Sequence, residues 1–114
     1  MIDEAIFNQL CSTFDEKRLA ELLDKVRTDI NTSCESIRGA LEDWDMARLR
    51  AATHVLIAVS GAIGALGLQN LSQRLNSAGH ALDKLAIERD APELISEASR
   101  VIAQIDMGTE GVSA

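Results

Sequence analysis

Residues 45–66, DMARLRAATHVLIAVSGAIGAL, decide the fold. At about 100° per residue, Leu49, Ala52, Leu56, Val59 and Ile63 fall within about 40° of one line, the spacing of a helix that packs a single stripe against a core. His54 points the opposite way. Around it stand Ala47, Arg50, Ala51, Ile57, Ala58, Gly61 and Ala65, mostly residues with little or no side chain. The stretch is a helix with an apolar stripe on one side and an imidazole in a clearing of Ala and Gly on the other. Such a clearing lets another protein's backbone come close to the ring.

Outward from this helix the same period recurs. Upstream, about residues 14–41 carry Leu19, Leu22, Leu23, Val26, Ile30, Ser33/Cys34, Ile37 and Leu41 at steps of three and four, with Glu21, Asp24, Lys25, Asp29, Glu35 and Arg38 between them. That pattern predicts one long amphipathic helix. Glu42-Asp43-Trp44 forms a tight reversal in which Trp44 is expected to plug the end of the bundle, and Asp45 suits the N-cap of the central helix. So short a link predicts antiparallel neighbours. Residues 3–11 predict a short helix across one end of the fold.

Downstream, Gly64 and Gly67 mark the end of the central helix. Leu68, Leu71, Leu75, Ala78, Leu82 and Leu85 predict one helix over about 68–88, with Gly79 a weak point costing about 1 kcal/mol relative to Ala. Asp90-Ala91-Pro92-Glu93 has the form of a helix start, with Asp90 as N-cap and Pro92 in the first turn. Leu94, Ala98, Val101, Ile102 and Ile105 supply the last stripe. The expected architecture is all-α: an antiparallel up-down-up-down four-helix bundle with a short additional N-terminal helix, occupying residues 1–107, and a flexible tail over 108–114.

Composition narrows the function. Hydrophobic residues make up 46% of the chain but aromatics only 3%, so Ala, Leu and Ile at helical spacing carry the core. The net charge of −7 repels phosphate backbones, which argues against nucleic-acid binding. Apolar runs are interrupted before about 18 residues, which predicts no membrane span. The opening MIDEAIFNQL carries acids where a signal peptide carries bases. Cys11 and Cys34 have no metal-ligand or redox spacing and read as reduced thiols. The expected compartment is the cytoplasm.

Most chemistries lack their parts. The two histidines, His54 and His80, belong to no Glu-x-x-His motif, so no metal or other cofactor is expected to be bound by this chain. Neither a hydrolase nucleophile on a strained turn nor a Gly-rich phosphate loop after a strand is present. What remains is His54 as a lone nucleophile. Histidine's ordinary pKa of about 6.5 leaves much of it neutral at pH 7, with a free nitrogen lone pair. It could accept a phosphoryl group if a partner supplied the electrophile, the Mg²⁺ and the in-line geometry. On wheel geometry alone, the simpler account is an ordinary solvent-facing histidine. His80 reads as a surface residue.

The run Asp45, Leu49, Ala52, His54, Leu56, Ser60-Gly61, Ile63 and Gly64-Ala65, followed by Leu71 and Leu75 in register, resembles the central pattern of histidine-containing phosphotransfer (HPt) domains. These are the carrier modules of bacterial two-component phosphorelays, and the resemblance spans about residues 2–106. It implies a phosphoacceptor role for His54 and a polar supporting residue at Asn76 that steadies the imidazole. It also implies a docking face of Ala47, Ala51, Ile57, Ala58 and Gly61. The partners it implies are response-regulator receiver domains or a hybrid histidine kinase, with Mg²⁺ held by the receiver and this chain probing them as a monomer with no kinase activity of its own.

Two positions depart from the pattern: the family's Lys three residues after the histidine is Ile57, and its Gly four residues after is Ala58. The missing ammonium removes about 1–2 kcal/mol of interaction with phosphohistidine, screened by solvent. Arg50, one turn earlier on the same face, is the candidate substitute. The resemblance equally accommodates a phosphorylation-deficient module that docks and inhibits or sequesters a receiver or kinase. A helical bundle used purely for assembly is a third possibility.

Overall fold

A computed structural model describes the backbone of residues 2–113 and the side chains of residues 2–107. Five helices account for it: α1 (Glu4–Thr13), α2 (Glu16–Asp43), α3 (Met46–Ile63), α4 (Leu66–Ala81) and α5 (Lys84–Ser113), with no strand among the described residues. Each of the first three starts on an aspartate whose carboxylate accepts the backbone N–H three residues on: Asp3 from Ile6, Asp15 from Arg18 and Asp45 from Arg48. That oxygen satisfies one of the orphan donors of a helix start.

Three two-residue turns link the long helices, and all three have one construction. Trp44, Gly64 and Leu82 take left-handed backbone, with φ of 51°, 80° and 55°. The N–H of the next residue then reaches five residues back, from Asp45 to Ala40, Ala65 to Ser60 and Asp83 to Ala78. These bonds satisfy the carbonyls that a helix end leaves open. Glycine is required only at Gly64, where a Cβ would stand 2.9 Å from that of Ile6 and 3.2 Å from the Asp3 carbonyl oxygen. That crowding seats α1 against the end of α3, with the Asp3 N–H bonded to the Gly64 carbonyl at 2.7 Å.

The turn at 82–83 overturns two expectations. The predicted helix over 68–88 breaks there, because Asp83 caps α5 by accepting the Ala86 N–H at 3.2 Å. Leu82 and Leu85, expected in the core, are therefore exposed at 62% and 81%. The predicted start at Asp90 lies inside α5 instead. Asp90 is buried and its carboxylate is held by Arg74 at 2.9 Å and Arg89 at 3.0 Å, while Pro92 sits within the helix on its exposed side. Gly67, read as a helix end, belongs to the first turn of α4. Trp44 does not plug the bundle: it lies at the surface with the Lys84 ammonium over its ring.

The core is one cluster fed by α2 to α5. Ile30 and Ile37, Leu49 and Leu56, Leu68 and Leu75, and Ile87, Leu94 and Ile105 are all fully buried in it. Helix α3 packs against both α2 and α4, and α5 closes against α4 and α2. α3 is also the one helix among the described residues long and apolar enough to cross a membrane, and its apolar stripe is what the core uses. Cys34 is buried, which pushes its thiol up, and Cys11 is half-buried; neither is in a disulfide. The expected tail, 108–114, falls outside the residues whose side chains are described.

Thermal and urea unfolding should separate these contributions. Leu56→Ala and Ile63→Ala are expected to lose about 2–5 kcal/mol each as core truncations. Pro92→Ala should instead stabilise by about 1–3 kcal/mol, since it returns the N–H that the helix interior lacks at that point.

Candidate functional site

His54 stands in the middle of α3 and is exposed. Its imidazole makes no hydrogen bond or ion pair among the described residues. Both ring nitrogens are therefore open to solvent or to a partner, while the backbone beneath is fixed. Leu49, Thr53 and Leu56, which flank it toward the core, are fully buried.

The residues expected around it divide. Ala47, Ala51 and Ala58 are exposed on the same helix and form the low surface beside the ring. Arg50 is half-buried, its stem lying on α4 where Gly79 leaves space: a Cβ there would stand 3.4 Å from Arg50 Cγ and 3.3 Å from Leu49 Cδ2. Gly79 is thus a close-packing point between α3 and α4 as well as a residue of low helix propensity. The Arg50 guanidinium forms no ion pair among the described residues. Ile57, expected as an exposed apolar residue, is half-buried. Ala65 is fully buried at the α3–α4 turn and is not part of the His54 face.

Two other positions act differently from the expectation. The Asn76 amide donates to Thr53 Oγ1 at 2.9 Å and to the Arg50 carbonyl at 3.3 Å, so it steadies the α3 backbone beside His54 and makes no bond to the imidazole. Gly61 clears space for this chain rather than for a visitor. A Cβ there would overlap the amide of Gln69, which donates to the Ile57 carbonyl at 3.3 Å. Thr53 and Gln69 were not singled out in the sequence, and Ser60 was named only as part of the Ser60-Gly61 pair. Thr53 and Ser60 are buried and return their hydroxyls to carbonyls of their own helix, to Leu49 and Arg50 and to Leu56 and Ile57 respectively.

On the α2 side, Val55, adjacent to His54 and 41% exposed, lines a groove of about 290 Å³ with Ala51 and Ala52 and with Asp29, Thr32, Ser33 and Ser36 of α2. Arg48 also borders it, its guanidinium lying over Gly39. Charge is distributed unevenly around this site. α3 and α4 carry Arg48, Arg50 and Arg74 and none of the chain's 18 acids. Of these three, Arg74 is paired with Asp90 of α5, so Arg48 and Arg50 are the two without an ion pair among the described residues.

Other places offer less. Among the described residues no group of three or more His, Cys, Asp or Glu side chains could hold a metal ion. A cavity of about 810 Å³ is lined only by Asp15, Glu16, Lys17, Arg18 and Glu21, from the opening of α2, and has no opposing wall. His80 is exposed in the last turn of α4. Comparison with protein-family models, with curated proteins and with solved structures finds no match for this chain.

The Gln69 contact makes a non-additive prediction. Gly61→Ala and Gln69→Ala each remove the bond to Ile57, so the double variant should be no less stable than the weaker single one. Asn76→Ala, which removes bonds to Thr53 and the Arg50 carbonyl and shares no partner with Gly61 or Gln69, should add its own loss of about 1–2 kcal/mol to either. Urea midpoints of the single and double variants measure both.

Proposed function

We propose that this chain is a histidine-containing phosphotransfer module whose four long helices run up-down-up-down. It carries a phosphoryl group on His54 between receiver-domain aspartates in the cytoplasm. The observation that carries this reading is an exposed, unpartnered imidazole in the middle of a rigidly held helix that itself carries Arg48 and Arg50 and no acid. The resemblance of residues 45–65 to the family pattern supports it, and the two-residue turns favour antiparallel neighbours.

The chemistry follows from an imidazole without partners. A neutral ring nitrogen attacks the phosphorus of a receiver's aspartyl phosphate. The N–P bond forms as the P–O bond to the carboxylate breaks, the electron pair leaves with the carboxylate, and the ring's other N–H proton is released to water. Mg²⁺ held by the receiver supplies charge neutralisation at the transferring group. Delivery to a second receiver is the same exchange reversed. Ala47, Ala51 and Ala58 let the receiver's surface approach, and Arg50 offers the cation nearest in sequence on the same face. The chain takes its phosphate from a protein donor, a receiver or a hybrid kinase, and acts as a monomer.

A second reading is favoured by Ile57, which stands where the family has an ammonium: a module that docks a receiver or kinase through the same face and sequesters it without accepting phosphate. Transfer from a phosphorylated receiver separates the two. Wild type should take up acid-labile, base-stable label. His54→Gln should take up none while unfolding at nearly the same temperature, because the side chain is exposed. His80→Gln should behave as wild type. Label on the His54 variant would rule out the carrier assignment, and receiver binding without label on the wild type would establish the sequestering module.

The same assay tests Ile57. Ile57→Lys should shift the phosphate equilibrium toward His54 by roughly three- to thirtyfold, for about 1–2 kcal/mol, and Arg50→Ala should shift it the other way. Both effects should shrink as salt rises. An unchanged equilibrium with weaker docking would assign Ile57 to partner recognition instead.

A further inference from the structure

We infer that the end of the bundle built by the α2–α3 and α4–α5 turns is a docking surface for a basic amphipathic segment of a partner protein. The inference is independent of phosphotransfer. The two turns lie side by side, with the Lys84 ammonium 5.9 Å from the centroid of the Trp44 ring. Together they present three large apolar side chains to solvent: Trp44 at 40% exposure, Leu82 at 62% and Leu85 at 81%. Residues 42–45 and 81–85 are all exposed.

Three features of this end work against the stability of the folded chain. Trp44 and Leu82 occupy left-handed backbone, φ 51° and 55°, where their Cβ atoms crowd the following carbonyl and glycine would not. Glu42 and Asp43 stand in the last turn of α2, at the negative end of its dipole, with no base in that turn. Leu85 leaves most of a leucine in water on the first turn of α5. Local rules broken together at one surface, with most of Leu82 and Leu85 left in water, point to a surface maintained for a contact.

Charge selects the occupant. Residues 42–45 and 82–85 contain Glu42, Asp43, Asp45 and Asp83 against the single base Lys84. None of these four carboxylates is in an ion pair among the described residues. A second copy would bring the same acids against themselves, and anionic lipid or nucleic acid would be repelled for the same reason. A helix bearing Leu or Phe on one face, flanked by Lys or Arg, is complementary in both apolar surface and charge.

Trp44 is the only tryptophan, so its emission reports on this surface. The full chain would be titrated with a Leu/Lys amphipathic peptide of about five helical turns. Controls are a Leu/Glu peptide of equal length and a Ser/Lys peptide of equal charge. The Leu/Lys peptide should blue-shift Trp44 emission and bind at least tenfold more tightly than either control. The double variant Leu82→Gly, Leu85→Ser should weaken that binding at least tenfold. Leu82→Gly alone should raise the unfolding midpoint while weakening binding, a pairing that a purely structural role does not produce. His54→Gln should bind as wild type.

An unchanged emission with the Leu/Lys peptide would overturn the inference, as would equal affinity for the Ser/Lys peptide. So would full affinity in the double variant, or loss of binding in His54→Gln. Self-association with a blue-shifted Trp44 in the absence of peptide would overturn it by making a second copy the occupant.

Discussion

Helix α3 can hold an imidazole out to solvent because its neighbours grip its backbone and its core side chains, leaving the outer face free of structural duty. From α4, Asn76 and Gln69 donate to the carbonyls of Arg50 and Ile57, one turn on either side of His54. From within α3, the hydroxyls of Thr53 and Ser60 return to the same two carbonyls. The polar groups buried along this seam are all satisfied among the described residues, which makes the seam stiff rather than costly. A nucleophile that exchanges a group with a partner gains from such a mount, because position is set before the partner arrives.

The second organising feature is the separation of charge. Every side-chain carboxylate lies outside α3 and α4, which carry three arginines, one of them paired with Asp90 of α5. The turns 42–45 and 82–85 have the opposite balance, with four acids and one lysine. The two regions thus differ in their balance of charge, on a molecule whose overall charge describes neither. Net charge remains a guide to what the whole protein repels at long range, and a poor guide to the field at a particular atom.

How much of this was legible follows from how each element is encoded. The α3 stripe, the Asp45 cap and the Gly64 stop are written in residue types whose physical roles are local, and the structure has them where the pattern predicts. The exposure of His54 came from the same helical period. The turn at Leu82–Asp83 was not legible as a break, because a leucine in left-handed backbone carries no glycine signal and Leu82 and Leu85 continue the three-and-four spacing. A signal did exist: Leu82-Asp83 repeats the order of Trp44-Asp45, an apolar residue followed by a capping aspartate. Asp90-Ala91-Pro92 misled because an acid followed by proline has the form of a helix start, whereas α5 begins at the Asp83 cap and carries Pro92 in its interior at a cost, with Asp90 engaged by Arg74 and Arg89 instead of capping. The parts played by Asn76, Gln69 and Gly61 depend on which helices face each other, which no spacing within one helix reveals.

The central claim is that His54 forms a bond to phosphorus. The most direct measurement is ³¹P NMR of the full chain after incubation with a phosphorylated receiver and Mg²⁺, followed by mass-spectrometric localisation of the phosphate under mildly alkaline conditions. The account predicts a phosphoramidate resonance that disappears on acidification, with the added mass on the peptide containing His54. Phosphate retained by the receiver or released to solvent, or an added mass on any other residue, would contradict it.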